Sequence, residues 1–439
     1  MIKKTRSQRV FRTRNPAGFP VKPRLHARTL RRQPTATRRY EMQLQLLVTD
    51  EGVVDREKRF ELREGGLWVA ATTTTSTLTP TTTTTTGLLV NSNGTSPSTP
   101  FWIEFCSVVN FTRAYEQARK DKWSKEILDF DKNPKLRLVQ LIREIHTGTY
   151  RPQPLKRFVL RDPKTRIISK SAFKDRIVHH AIVQTLQPRF EPVFIYDSYA
   201  SRKGKSTLLA VDRFEQFTRK TSKNYTKDCF VLKCDITKYF DTVDHEILLT
   251  CIAKRASDKR FLALIRSLVE NHASLQRGKG VPLGNWTSQF FANIYLNELD
   301  QYVKHELKVK QYIRYVDDFV IVHHNKKTLE RYRDSIDNFL RNNVALTLHP
   351  SKCRIIDTRR GAPFLGFRVF PHHRLLVQRN IRKARTRLQE KAKLVKNGFK
   401  EIFSLQASFA GWNGYAKHAN TYRLRKTLHD QFTPPQLRS

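Results

Sequence analysis

Apolar positions along this chain recur with two different periods, and the changes of period divide it into elements. Trp123, Ile127, Leu128, Leu136, Val139, Ile142 and Ile145 fall at helical spacing ahead of Gly148 and predict two helices. Phe158-Val159-Leu160 and Arg166-Ile167-Ile168, joined by Asp162-Pro163-Lys164-Thr165, predict a hairpin. A second hairpin is predicted over Tyr312 to Val322, with two carboxylates at its tip. Leu248 to Ala253 and Phe261 to Val269 are apolar helical segments. Phe291, Tyr295, Leu299, Tyr302 and Val303 mark one face of a long helix beginning near Thr287, and Leu329, Tyr332, Ile336 and Phe339 mark another. Leu375 to Phe432 is basic and mostly helical, with Gly411-Trp412-Asn413-Gly414-Tyr415 expected to interrupt it. Strands and helices alternate irregularly, so the expected class is α+β, an antiparallel sheet with helices on one side.

Residues 1–100 differ in kind. An arginine-rich arm from Lys3 to Tyr40 leads through a mixed stretch to a nearly pure threonine run, Thr73 to Thr86, and then to a Ser/Pro/Asn/Gly segment ending near Pro100. Such low complexity buries too little apolar surface to offset chain entropy, and disorder is expected. Three readings fit the arm: an electrostatic RNA-binding tail, an organellar targeting segment, or a start codon assigned too far upstream.

Charge narrows the partners. The chain has 82 Lys and Arg against 39 Asp and Glu, a formal net charge of +43. A protein this basic is expected to meet a polyanion, nucleic acid before a membrane, since no stretch approaches the ~20 apolar residues of a spanning helix. The five cysteines, Cys106, Cys229, Cys234, Cys251 and Cys353, are odd in number and lack a CxxC pair, which suggests reduced thiols and a cytoplasmic location. His179-His180, His323-His324 and His372-His373 have no Cys or His at ligand spacing and read as surface or backbone-contacting residues.

The candidate chemistry lies in Tyr315-Val316-Asp317-Asp318. Two adjacent carboxylates stand between the apolar residues Tyr312, Ile313 and Val316 and the run Phe319 to Val322. Burying unpaired charge is costly, and a bound cation is one remedy. A third carboxylate, Asp235, closes another apolar run, Cys229 to Cys234. Three convergent aspartates suit a two-magnesium nucleotidyl-transfer site, in which one ion activates a primer hydroxyl and the other steadies the leaving pyrophosphate. Gly204-Lys205-Ser206-Thr207 ends like a phosphate-binding loop, but Tyr199 stands where the first glycine belongs and the preceding strand is missing, so no nucleotide-hydrolysing loop is expected.

In order along the chain, Phe158 to Val183, Leu232 to Leu248, Gly280 to Asp300, Tyr312 to Val322, Leu346 to Ile355 and Gly361 to Phe370 resemble the fingers and palm motifs of reverse transcriptases, over roughly residues 110–425. Gly280-Val281-Pro282-Leu283-Gly284-Asn285-Trp286-Thr287-Ser288-Gln289 looks most like the branch found in diversity-generating retroelements, where most other branches carry Gln in place of Leu283. The resemblance implies a right-hand polymerase: N-terminal helices and fingers over 101–230, a palm over 231–373, and a basic helical thumb and tail over 374–439.

The same resemblance implies residue roles. Asp235, the Ile236 carbonyl, Asp317 and Asp318 would hold two Mg2+ ions, and Lys352 would protonate the leaving pyrophosphate. Lys164 and Arg166 would bind the triphosphate, and Phe240 would exclude a 2′-hydroxyl by volume. Gly284 would let the backbone approach the incoming base pair, and Ser288 belongs to the same nucleotide-binding segment. Leu283, replacing an amide with bulk, would relax discrimination opposite template adenine. Implied partners are template RNA and its cDNA hybrid, dNTPs and a small basic accessory protein. The implied function is RNA-directed DNA synthesis on a retroelement template, error-prone at adenines. The rival readings are a retron-type or group II intron-like enzyme of ordinary fidelity and a catalytically silent RNA-binding scaffold. No RNase H or endonuclease segment is expected, which speaks against a complete mobile-intron protein.

Overall fold

The computed structural model describes residues 60–63, 67–70, 101–161, 165–272, 276–399 and 401–432. Within the segment expected to be disordered, β1 (Phe60–Arg63) and β2 (Leu67–Ala70) pair as an antiparallel hairpin. The remainder of residues 1–100 lies outside the described residues.

Helices α1 (Phe101–Phe105), α2 (Val108–Arg119), α3 (Lys125–Phe130) and α4 (Pro134–His146) precede the fingers hairpin, β3 (Lys156–Leu160) and β4 (Arg166–Lys170). Their inward stripe is Ile127, Leu138, Leu141, Ile142 and Ile145, whereas Trp123 sits exposed just before α3. Next come α5 (Phe173–Phe190) and α6 (Thr207–Thr221). Ser206 caps α6 by accepting from the Leu209 amide, and Lys205 turns its ammonium onto the Tyr196 ring and carbonyl, an arrangement unlike a phosphate cradle.

The palm is a four-stranded antiparallel sheet of order β6-β7-β5-β8, built from β5 (Phe230–Asp235), β6 (Tyr312–Tyr315), β7 (Asp318–His323) and β8 (Arg354–Asp357). Between β5 and β6 run α7 (Tyr239–Thr242), α8 (His245–Ala253), α9 (Lys259–Glu270) and α10 (Trp286–Gln301), and α11 (Lys326–Val344) follows β7. Helices cover both faces of this sheet, not one. Leu232, Cys234, Tyr312, Phe319 and Ile321 pack in the large core with α10 and α11, whereas Val231, Ile313, Val320 and Val322 face α6. The reason is in the strand sequences: Phe319-Val320-Ile321-Val322 is apolar at every position, so alternate side chains need cover on opposite sides.

A small sheet, β9 (Ala362–Phe364), β10 (Phe367–Val369) and β11 (Arg374–Leu376), leads to three packed helices, α12 (Gln378–Lys396), α13 (Ile402–Ala416) and α14 (Tyr422–Phe432). The expected interruption at Gly411 to Tyr415 is absent: α13 runs through both glycines, whose positions leave open space and whose backbone stays helical. The palm with its fingers hairpin and helical thumb is the right-hand polymerase arrangement, and no described helix is long and apolar enough to cross a membrane.

Candidate active site

Strand register brings the aspartates together. β5 and β7 pair with Asp235 opposite Asp318, and β6 and β7 pair with Tyr315 opposite Asp318, which leaves Val316-Asp317 as a two-residue hairpin loop. Val316 takes the left-handed conformation at φ 55°. A β-branched residue there is strained by about 1–2 kcal/mol, so the surrounding structure must hold the turn in place.

Asp317 is half-buried, and its carboxyl is pushed up to about 6, first by burial and then by the negative charge of Asp235 and Asp318, with Arg166 acting in the opposite sense. The strand register sets the three carboxylates at one end of the palm sheet. Two ammonium groups already answer the charge: Lys352 Nζ lies 3.0 Å from Asp235 Oδ1, and Lys233 Nζ lies 2.9 Å from Asp318 Oδ2. Among the described residues no three such side chains close on a single point; Asp235 and Asp318 are each turned towards a lysine.

The backbone supplies a fourth oxygen. Past β5, the Thr237 amide donates to the Thr347 carbonyl and the His349 amide to the Asp235 carbonyl, which leaves Ile236 and Leu348 as a pair whose own amides and carbonyls point away from each other. The Ile236 carbonyl therefore faces the β7 side of β5, where Asp317 and Asp318 lie. Three carboxylates and a carbonyl are hard oxygen donors of the kind magnesium takes, and Asp235 and Asp318 would have to exchange their lysines for the metal.

Of the remaining expected residues, Phe240 is half-buried beside Tyr239, with ring centres 5.3 Å apart. Arg166 opens β4 opposite Leu160, and Lys164 lies outside the described residues. Leu283 is half-buried, and its carbonyl accepts from the Ser169 amide at 2.8 Å, which docks the loop on the fingers. Gly284 has a structural requirement of its own. At φ +122° its missing Cβ would stand 2.7 Å from Ile168 Cγ2 and 3.2 Å from the Ser169 carbonyl, so the absence of a side chain lets the loop pack on β4. Ser288, expected in the nucleotide-binding segment, is buried and donates its hydroxyl to the Pro282 carbonyl at 2.6 Å, closing the loop.

Sequence reasoning missed two supports. His179, expected at the surface or against the backbone, is buried between the Ser171 hydroxyl at 3.0 Å and the Thr287 hydroxyl at 2.9 Å, and Ser171 also donates to Asn285 Oδ1 at 2.9 Å. With the Ser171 proton given to Asn285, His179 donates through Nε2 and accepts through Nδ1, a neutral imidazole. Burial pushes its pKa down to about 3. The second support is Arg314, fully buried beneath the Val316-Asp317 turn. An arginine inside Tyr312-Ile313-Arg314-Tyr315, and an aspartate closing the apolar helix at Leu299-Asp300, were the available signals, since buried charges need partners.

Comparison with known proteins agrees with this geometry. A family model described as reverse transcriptase (RNA-dependent DNA polymerase) matches residues 160–369. YkfC of Escherichia coli K12 is 29% identical over 300 residues, covering 58% of this chain and 76% of that protein. The group II intron-encoded protein LtrA of Lactococcus lactis subsp. cremoris is 23% identical over 303 residues, 53% of this chain and 49% of LtrA. The putative COX1/OXI3 intron 2 protein of Saccharomyces cerevisiae is 23% identical over 298 residues, 53% of this chain and 34% of that one. The chain thus spans about half or less of the two intron proteins. Among solved structures, apo telomerase of Candida tropicalis overlays with a TM-score of 0.40 at 15% identity, over 52% of this chain and 57% of that one. Residues 160–369, with the aspartate-tipped hairpin inside them, match the reverse transcriptase (RNA-dependent DNA polymerase) family.

Proposed function

We propose that the whole chain copies a retroelement template RNA into cDNA at the site formed by Asp235, Asp317 and Asp318. The observation that carries this reading is the register that sets Asp235 opposite Asp318 with Asp317 in the adjoining turn. Two Mg2+ ions, held by these carboxylates and the Ile236 carbonyl, would supply the Lewis acidity for primer-hydroxyl attack and pyrophosphate departure. The residues do the remaining work. Arg166, whose charge lowers the pKa of Asp317, would orient the triphosphate, with Lys164, two residues earlier in the sequence, as the second basic group of the reading. Lys352, paired with Asp235, is placed to give a proton to the leaving group once Asp235 turns to metal. Phe240 bounds the sugar side by volume. The folded chain's excess of Lys and Arg suits a hybrid duplex, and a small basic accessory protein is part of the same reading.

Within this function, Leu283 favours the diversity-generating branch over an enzyme of ordinary fidelity. It cannot offer the amide contact that would test base-pair geometry, so misincorporation opposite template adenine follows. Purified full-length chain should extend a DNA primer on an adenine-containing RNA in the presence of Mg2+ and dNTPs, and sequencing should place its errors mainly opposite adenine. Extension with errors spread evenly over template bases would leave the polymerase and remove the mutagenic reading. RNA binding with no extension would favour the scaffold reading instead.

A further inference from the structure

The turn that carries Asp317 is held from beneath by a buried charged group to which neither the family match nor the relatives assign a role. Arg314 is wholly enclosed, as is Asp300 at the end of α10. The two form a bidentate pair, Nε to Oδ1 at 2.8 Å and Nη2 to Oδ2 at 2.6 Å. The third guanidinium nitrogen divides its protons: Nη1 donates to Asn293 Oδ1 at 3.1 Å and to the carbonyl of Val316, in the strained turn, at 3.2 Å. Tyr312 donates to the same Asp300 at 2.8 Å, and Asn293 reaches the Ala200 carbonyl at 2.7 Å. The Arg314 backbone is clasped as well, its amide bonding the Asp197 carbonyl and its carbonyl accepting from the Tyr199 amide, each at 3.0 Å.

We infer that Arg314 is a positioning residue: through the Val316 carbonyl it fixes the left-handed turn so that Asp317 and Asp318 are presented to metal. The geometry leaves little else to do this. Val316 resists its own conformation, and its carbonyl is tied to the most rigid object nearby, a guanidinium gripped at three other points. Asp300 and Asn293 fix the guanidinium plane, so the long helix α10 sets the height of the turn above the sheet. A buried ion pair contributes little net stability compared with an apolar pair, so its retention beneath the turn is better explained by orientation than by folding energy. This inference rests on the polymerase reading for the identity of the reaction, but not for the metal-binding consequence.

Removing Arg314 alone would strand the Asp300 charge and confuse misfolding with misplacement. The test is therefore the double variant Arg314→Met/Asp300→Asn, which removes both charges and keeps an acceptor for the Tyr312 hydroxyl, and beside it Arg314→Lys, whose point charge cannot serve Asp300 and Val316 together. Three readouts are taken on the full chain: melting temperature, Mn2+ affinity by electron paramagnetic resonance of the free ion, and RNA-templated single-nucleotide incorporation. For either variant that melts near wild type, Mn2+ affinity should fall roughly 10-fold and kcat roughly 10- to 100-fold, with the dNTP KM nearly unchanged, as for loss of a group that orients a metal ligand. A folded variant with wild-type Mn2+ affinity and kcat overturns the assignment, as does the failure of both variants to fold, which would make Arg314 a folding residue. Should wild type bind Mn2+ yet extend no primer on RNA, the polymerase reading fails while the Mn2+ comparison still decides the role of Arg314.

Discussion

Lys352 and Asp235 form an ion pair across the mouth of the palm, Nζ to Oδ1 at 3.0 Å, although 117 residues separate them in sequence. On the proposed function the same ammonium would have two duties, neutralising the carboxylate before metal arrives and serving the leaving group afterwards. Lys352→Ala should lower kcat about 100-fold, the usual size of a lost general acid, with little change in dNTP KM. It should also lower the Mg2+ concentration needed for half activity, because a competitor for Asp235 is gone. Single-turnover incorporation across a Mg2+ titration measures both, and an unchanged kcat would deny the lysine its proton-transfer role.

Leu283 offers a separate test of base-pair discrimination. Leu283→Gln restores an amide at the loop docked on Ser169, and errors opposite template adenine should fall about three- to tenfold, the worth of one modest polar contact. Deep sequencing of cDNA from both proteins reads this directly. An identical error spectrum would show that the side chain at 283 does not govern fidelity here.

Gly284 tests the docking itself. An alanine there would combine an unfavourable φ of +122° with a Cβ 2.7 Å from Ile168 Cγ2. Gly284→Ala should cost about 1–3 kcal/mol of stability and loosen the fingers from the loop. Chemical denaturation gives the first quantity; wild-type stability in the variant would mean that β4 yields at no cost.

The buried His179 makes stability depend on pH. Its folded pKa of about 3 lies below the ordinary value of 6.5, so the unfolded chain binds the proton more readily. The stabilisation is therefore whole above pH 6.5 and is lost progressively as pH falls towards 3, with an upper bound of roughly 5 kcal/mol. His179→Gln, which keeps a donor and an acceptor but does not titrate, should flatten the acid limb of melting temperature against pH. Parallel curves for the two proteins would remove the histidine from the account.

Much of this site was legible in the sequence, because catalytic aspartates at strand ends must interrupt apolar runs, and Asp235, Asp317 and Asp318 do so conspicuously. The hairpin put Asp317 and Asp318 at its tip, but the β5–β7 register that sets Asp235 opposite Asp318 joins distant strands and had no local signal. What the sequence concealed were supports acting over long range. Arg314 finds Asp300 across a helix and a strand, and His179 joins Ser171 to Thr287; neither pairing has a spacing signature. Helical cover on both palm faces was implicit in the unbroken Phe319 to Val322 run, which alternation arguments pass over. Gly411 and Gly414 looked like breaks because glycine propensity is a weak local signal, and tertiary packing of α13 overrides it.

The most direct test of the central claim is RNA-templated primer extension by the full chain in Mg2+, comparing wild type with Asp317→Asn and Asp318→Asn under single-turnover conditions. Withdrawing several kcal/mol of metal-borne stabilisation should cost at least about 1,000-fold in rate, while melting temperatures stay near wild type. Folded variants that extend the primer at close to the wild-type rate would contradict the assignment of these carboxylates to catalysis.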